Sequence, residues 1–146
     1  MSDRIVSKTM SGRRFLSVLP DRSVWEAASI MTQTNSSSVL VIDADNQLLG
    51  IVTERDMITR VLVKARDPKA TPVSAVMTRN PHTVRPETTV SNAILIMIER
   101  GFRHVPVVNT EGMILGVFSS RDAMPREIDA AMTMAQFHSQ MVDTPG

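Results

Sequence analysis

The chain contains a copy of itself. Leu49-Gly50-Ile51-Val52-Thr53-Glu54-Arg55-Asp56 returns as Leu115-Gly116-Val117-Phe118-Ser119-Ser120-Arg121-Asp122, an offset of 116 − 50 = 66 residues. The same offset holds upstream without a gap. It pairs Val18 with Val84, Pro20 with Pro86, Val24 with Val90, Ala27 with Ala93, Ile30 with Ile96, Met31 with Met97, Val39 with Val105 and Val41 with Val107. Twelve identities over 40 aligned positions (17–56 against 83–122), with several other pairs chemically similar, establish a duplication. A unit of roughly sixty residues leaves one face of its sheet uncovered, so two units packed together are the smallest arrangement expected to bury both.

Periodicity supplies the elements of each unit. Val24, Ala27, Ala28 and Met31 fall at i, i+3, i+4 and i+7, as do Val90, Ala93, Ile94 and Met97, which predicts one amphipathic helix per repeat. Ser23 and Thr89 precede these helices as N-caps. The runs 39–42 and 105–108 are short, apolar and rich in β-branched residues, and each is closed by a turn-forming segment, at 43–46 and 109–112. A second strand follows each turn, then another helix, which in the first repeat starts near Thr53 and ends before Pro68. The predicted order is β-α-β-β-α, twice.

Outside the repeats, residues 66–75, with Pro68 and Pro72, read as a linker between a first motif at 10–65 and a second at 76–125. The tail at 126–146 is helix-compatible, with Ile128, Met132, Ala135 and Met141 near one side and Pro125 suited to a first helical turn. It is expected to pack on the pair or on a second subunit. Residues 1–9 are expected to be partly disordered, and Trp25, beside an apolar stripe, to pack.

Composition narrows the class. With 16 basic and 15 acidic residues there is no electrostatic footprint for nucleic acid or for an anionic membrane. No run approaches the ~20 apolar residues that cross a bilayer, and the N-terminus lacks a signal peptide's apolar region. The absence of cysteine excludes disulfides and thiolate metal sites and fits a reducing, cytoplasmic location. His82, His104 and His138 lack metal-ligand spacing, and no phosphate-binding glycine loop or nucleophile motif occurs.

Val84-x-Pro86, an amphipathic helix, Phe102-Arg103-His104-Val105-Pro106-Val107-Val108, a turn, and Gly116-Val117-Phe118-Ser119-Ser120-Arg121-Asp122 together resemble a cystathionine-β-synthase-type (CBS) motif, and residues 17–56 resemble a second. Two such motifs in tandem resemble a Bateman module, in particular the small stand-alone bacterial kind. The resemblance implies an α/β (α+β) fold with the motifs packed as a pseudo-twofold pair. It also implies clefts between the motifs for an adenosine-containing ligand such as AMP, ADP, ATP, NAD(H) or S-adenosylmethionine, with AMP or NAD foremost, and assembly into a homodimer.

The residues bear on that implication directly. Thr53 and Ser119 sit at strand-to-helix junctions, where unpaired backbone N–H groups and the helix dipole favour an anion. Arg55 and Arg121 are placed to add charge-assisted contacts. Asp56 and Asp122, which the family uses for ribose hydroxyls, are acceptor-only carboxylates suited to a cis-diol. The same Thr/Ser-x-x-Asp spacing also makes a capping box that merely satisfies a helix end, and both readings stand. Beside the apolar-x-Pro stretch, family members recognise adenine through backbone groups, which points to Val105 and Pro106, with Arg103 and His104 within reach of phosphates. The first repeat has Ser37-Ser38-Val39-Leu40 instead, without the basic pair and the proline, so its counterparts Ser38, Val39 and Leu40 suggest either a weaker hold on a phosphate-bearing ligand or a different ligand preference. First-strand residues Ser17 and Val18, and Thr83 and Val84, complete the implied pockets. The expectation is a regulatory nucleotide sensor with an unidentified protein partner, no metal and no catalytic residue; the alternative is a ligand-free dimerisation module.

Overall fold

The computed structural model describes residues 3–10 and 15–143, which fall into two compact units. One runs from residue 15 to 81; the other joins residues 3–10 to residues 82–143. Both are mixed α/β, as the duplication predicts.

In the first unit, β1 (Ser17–Val18), α1 (Val24–Thr34), β2 (Ser38–Ile42), β3 (Leu48–Thr53) and α2 (Glu54–Met57) follow one another, and a π-helical turn, Ile58–Leu62, prolongs α2. A last strand, β4 (Thr78–Arg79), completes a sheet of order β1-β2-β3-β4. The second unit has α3 (Val90–Arg100), β5 (His104–Val108), β6 (Ile114–Ser119), a 3-10 turn at Ser120–Asp122 and α4 (Pro125–Asp143).

Local chemistry repeats with the sequence. Ser23 Oγ accepts the Glu26 N–H at 3.1 Å and Thr89 Oγ1 accepts that of Asn92 at 3.2 Å, so both predicted N-caps form. Asn35 and Gly101, again 101 − 35 = 66 apart, end the two helices in the left-handed region. In the hairpin turns Asp43 and Asn109 each accept two backbone N–H groups. Register is conserved too: Val39↔Val52 and Val41↔Gly50 match Val105↔Phe118 and Val107↔Gly116, and both hairpins shift register just after the second of those pairs. Val24, Ala27 and Met31 pack on Val39, Val41 and Val52 in one core, and Val90, Ala93, Ile94 and Met97 on Val105, Val107 and Phe118 in the other.

The first strand is not duplicated. Leu40 donates its N–H to the Leu16 carbonyl at 2.9 Å and so holds β1 in a parallel ladder. Its counterpart Pro106 has no N–H to give. The second unit accordingly keeps only the Val84↔Val107 bridge, made by Val84 N–H to Pro106 O and Val108 N–H to Val84 O, both 3.0 Å.

Residues 3–9 were expected to be partly disordered, but they form a built part of the second unit. Val6 is fully buried among Val84, Val90 and Phe118, a burial worth about 1.5–3 kcal/mol. Val6 N–H donates to Thr88 O, Ser7 N–H to Pro86 O, and Val90 N–H to Arg4 O. The segment ahead of the second repeat does the same to the first unit: Val73 N–H donates to Arg22 O, Ser74 N–H to Pro20 O, and Val24 N–H to Thr71 O. Val6-Ser7-x-x-Met10 and Val73-Ser74-x-x-Met77 are therefore one duplicated element, offset by 73 − 6 = 67, and each packs on the repeat it does not precede. Residues 66–75, read as a linker, bond to the start of α1, with Trp25 N–H on Pro68 O at 3.0 Å.

Three further expectations are corrected. Trp25 is 52% exposed; its ring lies beneath Lys69 Nζ at 4.8 Å, a cation–π contact made from outside the core. The second repeat does not run from Ser119 into a continuous helix, because Pro125 disfavours helical geometry at the residue before it and the chain is extended at Ala123. The tail helix then begins at Pro125 and packs on α3 within its own unit through Ala131, while Met132 and Met141, predicted on its packed side, are 50% and 63% exposed.

Gly50 admits β4 at close range. A Cβ there would lie 2.6 Å from Met77 Sδ and 2.7 Å from the Thr78 carbonyl oxygen, whereas among the described residues one at Gly116 would meet the flexible Met10 side chain alone, at 2.9 Å. Gly50→Ala is expected to lower stability by about 2–3 kcal/mol and Gly116→Ala by under about 1 kcal/mol, measured by urea unfolding. Equal losses would show that Met10 is as rigidly held as the β4 backbone.

Candidate ligand site

Antiparallel pairing sets the first residue of one strand against the last residue of its partner. Ser38 thus faces Thr53, and His104 faces Ser119. The chain leaving each second strand is then tied back to the residue before the first: Glu54 N–H donates to Ser37 O and Ser120 N–H to Arg103 O, both at 3.1 Å. Ser38, Thr53, Arg55 and Asp56 gather at one hairpin end in the first unit, and Arg103, His104, Ser119, Arg121 and Asp122 at the equivalent end in the second.

Both capping boxes form. Thr53 N–H donates to Asp56 Oδ2 at 2.9 Å and Asp56 N–H to Thr53 Oγ1 at 3.2 Å. In the second unit Ser119 N–H donates to Asp122 Oδ2 at 3.2 Å, and Ser119 Oγ accepts the Arg121 N–H at 3.3 Å. The cap occupies one oxygen of each carboxylate and fixes its direction.

The two sites differ in what surrounds the carboxylate. Asp56 is buried, and its Oδ1 lies 3.6 Å from Arg60 Nε, one helical turn on; Arg60 also donates to Val76 O at 2.8 Å. Asp122 is half-buried beside the exposed Arg103 and Arg121. Its carbonyl accepts from Arg4 Nη2 at 2.9 Å, and the same guanidinium forms a fork on Glu127, with Nη2 to Oε1 at 2.9 Å and Nε to Oε2 at 3.2 Å. Glu127 Oε1 further accepts the Met124 N–H at 2.8 Å and so caps α4.

The remaining predicted residues contribute little exposed side chain. Val18, Val39, Leu40, Val84, Val105 and Pro106 are buried, so only their main chain and shape are available. The Pro106 carbonyl is engaged by Val84, one residue from the half-buried Thr83; Ser17 is exposed on β1. Arg4 and Glu127 were not foreseen. The signal that would have found them is the second Val-Ser-x-x-Met segment, which places Arg4 against the start of the second repeat as Thr71 is placed against the first.

Hydrogen bonding to Arg4 holds the Glu127 carboxyl below its ordinary value of 4.5, against the opposing effect of burial. The same bond raises Arg4, which is charged throughout the accessible range. A depressed carboxyl contributes stability that is fully present above pH 4.5 and is lost as pH falls through the lower folded-state value. Glu127→Gln is therefore expected to cost about 1–3 kcal/mol at neutral pH and to lose less stability than the parent on acidification from about pH 5 to pH 3. Urea unfolding at stepped pH measures both; parallel pH profiles would remove the pair as a source of acid sensitivity.

The CBS domain family matches residues 6–63 and 73–126, and the chain belongs to it as a tandem CBS pair. A CBS domain-containing mitochondrial protein of Arabidopsis thaliana, CBSX3, is 38% identical over 71% of this chain and 52% of its own length. An uncharacterised 17.7 kDa protein of Acidianus ambivalens is 37% identical over 72% and 62%. The chain thus spans about half to three fifths of those two relatives. Among solved structures, a CBS domain protein of Pyrobaculum aerophilum complexed with AMP superposes with a TM-score of 0.77 at 25% identity, covering 91% of this chain and 98% of that one. The CBS-domain pair of the protein MJ0100, in complex with 5′-methylthioadenosine and S-adenosyl-L-methionine, gives 0.72 at 25% identity over 81% and 94%. Among the described residues no helix is long and apolar enough to cross a membrane.

Proposed function

We propose that the chain is a regulatory module that binds an adenosine-containing ligand, with the second repeat taking a phosphate-bearing one such as AMP, ADP, ATP or NAD(H). The observation that carries this reading is the gathering of Arg103, His104, Ser119, Arg121 and Asp122 at one hairpin end, where the pairing His104↔Ser119 and the Ser120 to Arg103 bond hold them. An acceptor-only carboxylate of fixed direction suits a ribose diol, and two exposed guanidinium groups suit phosphates. That solved relatives of the same fold carry AMP in one case and 5′-methylthioadenosine with S-adenosyl-L-methionine in another supports the adenosine class. The first repeat offers Ser37 and Ser38 where the second offers Arg103 and His104, and its Asp56 is already set against Arg60. It is better suited to an adenosine compound without phosphate. Binding acts as a signal by favouring one of two arrangements to which the ligand has unequal affinity; the role is recognition rather than catalysis, performed in the cytoplasm by a homodimer.

A second reading, a ligand-free module for self-association or protein binding, has its own support. Leu62 at the end of the π-helical turn and Val63 just after it are 74% and 70% exposed, and Phe137 on α4 is 55% exposed. Thermal denaturation of the full chain with AMP, ADP, ATP, NAD(H), S-adenosylmethionine and methylthioadenosine separates the two. A ligand selective for the folded state raises the Tm once its concentration exceeds Kd, and no shift across the series would favour the second reading. Asp122→Ala is expected to weaken AMP about 10- to 100-fold by calorimetry. Unchanged affinity in a folded variant would remove Asp122 from the site.

A further inference from the structure

The two repeats present equivalent aspartates on unequal supports. Asp56 sits in α2, which continues through the π-helical turn, so the backbone beyond it is held by the helix: the Ile58 N–H already donates to the carbonyls of Arg55 and Glu54. Asp122 ends a three-residue 3-10 turn, and the chain is extended at Ala123 before α4 begins at Pro125. In a continuous helix a carbonyl accepts an N–H from four residues on; after this break the Asp122 carbonyl accepts instead from Arg4 Nη2, at 2.9 Å. Arg4 is in turn gripped by Glu127, which caps the next helix through Met124. One side chain from outside the repeat thus braces both sides of the break.

We propose that Arg4 is a positioning residue for the second-repeat site: it substitutes for the missing helical continuity behind Asp122, and so couples occupancy of that site to docking of the segment 3–10. The proposal rests on the nucleotide reading above for the identity of the occupant, though not for the brace itself. Among the described residues the first unit has no equivalent. The position matching Arg4 is Thr71, 71 − 4 = 67 residues on, and its hydroxyl donates to Asp67 O at 2.7 Å. Nor is Arg4 loosely placed, since its carbonyl accepts the Val90 N–H at 2.8 Å and the next residue but one, Val6, is fully buried. Anything that orders the Ser119–Asp122 turn must also favour a docked Arg4. By reciprocity, undocking the segment must weaken the ligand by the same factor that the ligand strengthens docking.

Arg4→Gln in the full chain tests this, with Arg4→Lys as a milder variant that keeps the charge but not the fork. AMP titration by calorimetry is expected to show affinity reduced about tenfold in Arg4→Gln and partly restored in Arg4→Lys. Amide hydrogen exchange without ligand is expected to speed up over residues 120–124 while β2 and β3 of the first unit keep the parent's rates. In the parent, AMP is expected to slow exchange at the Val6 and Ser7 amides, which donate to Thr88 and Pro86. Unchanged affinity in Arg4→Gln, or acceleration spread evenly over both units, would overturn the proposal; the second pattern would make Arg4 a stabilising residue only. If the parent itself gives no heat with AMP, the nucleotide reading fails. The brace then stands or falls on the ligand-free exchange at residues 120–124. If Arg4→Gln does not fold, the same measurements on Arg4→Lys decide.

Discussion

The antiparallel register of the two hairpins is the constraint from which the candidate site follows. Pairing Val39 with Val52 and Val105 with Phe118 turns the core-facing residues toward α1 and α3. A slip of one residue would reverse every side chain and expose the valines. That burial, about 1.5–3 kcal/mol for each large apolar side chain, therefore also decides that His104 meets Ser119 and Ser38 meets Thr53. Polar residues at the hairpin ends are brought together by interactions in which they take no part. This is why the duplicated cores are nearly identical while the residues they position have diverged.

The exchanged Val-Ser-x-x-Met segments add a second constraint. Val6 and Val73 are each fully buried against a repeat other than the one directly after them, so the first unit closes within contiguous sequence while the second recruits residues 3–10 from ahead of the first. Met10 lies over Gly116 where Met77 lies over Gly50. The cover on the first unit continues into β4, backbone against backbone, while the described cover on the second is a flexible thioether.

Features set by short-range chemistry could be read from the residues alone. Ser23 and Thr89 cap because a hydroxyl three residues before an orphan N–H has one good partner; Asp43 and Asn109 close the turns for the same kind of reason. Pro125 opens a helix, as its fixed φ requires. What escaped depends on contacts remote in sequence. The partnership of Arg4 with Glu127 joins residues 123 apart, and the Val-Ser-x-x-Met copies lie at offset 67, out of step with the 66 of the main repeat. Trp25 misled because an aromatic beside an apolar stripe predicts burial, yet Lys69 offers its ring a cation at the surface. In the tail helix, methionines suggested the packed side where the small Ala131 allows the closer approach to α3. For the site, the gathering of Arg103, His104, Ser119, Arg121 and Asp122 was legible once the hairpin was, whereas the different bracing of Asp56 and Asp122 was not.

The capping boxes bear on how a cap and a ligand site share one carboxylate. A cap contributes about 1 kcal/mol, and it uses one oxygen of each aspartate, through Thr53 N–H in one repeat and Ser119 N–H in the other. Far from competing with recognition, the cap removes rotamer freedom that a ligand would otherwise have to freeze, which favours binding by preorganisation. The benefit holds only while the turn itself is fixed. In the first repeat a continuing helix fixes it and Arg60 partly neutralises the charge, an arrangement better suited to structure than to a strongly anionic ligand. In the second repeat the helix is broken and the turn is braced from a distance by Arg4. The cluster with the more suitable charges therefore draws its support from outside the repeat, which is the arrangement the proposed coupling requires.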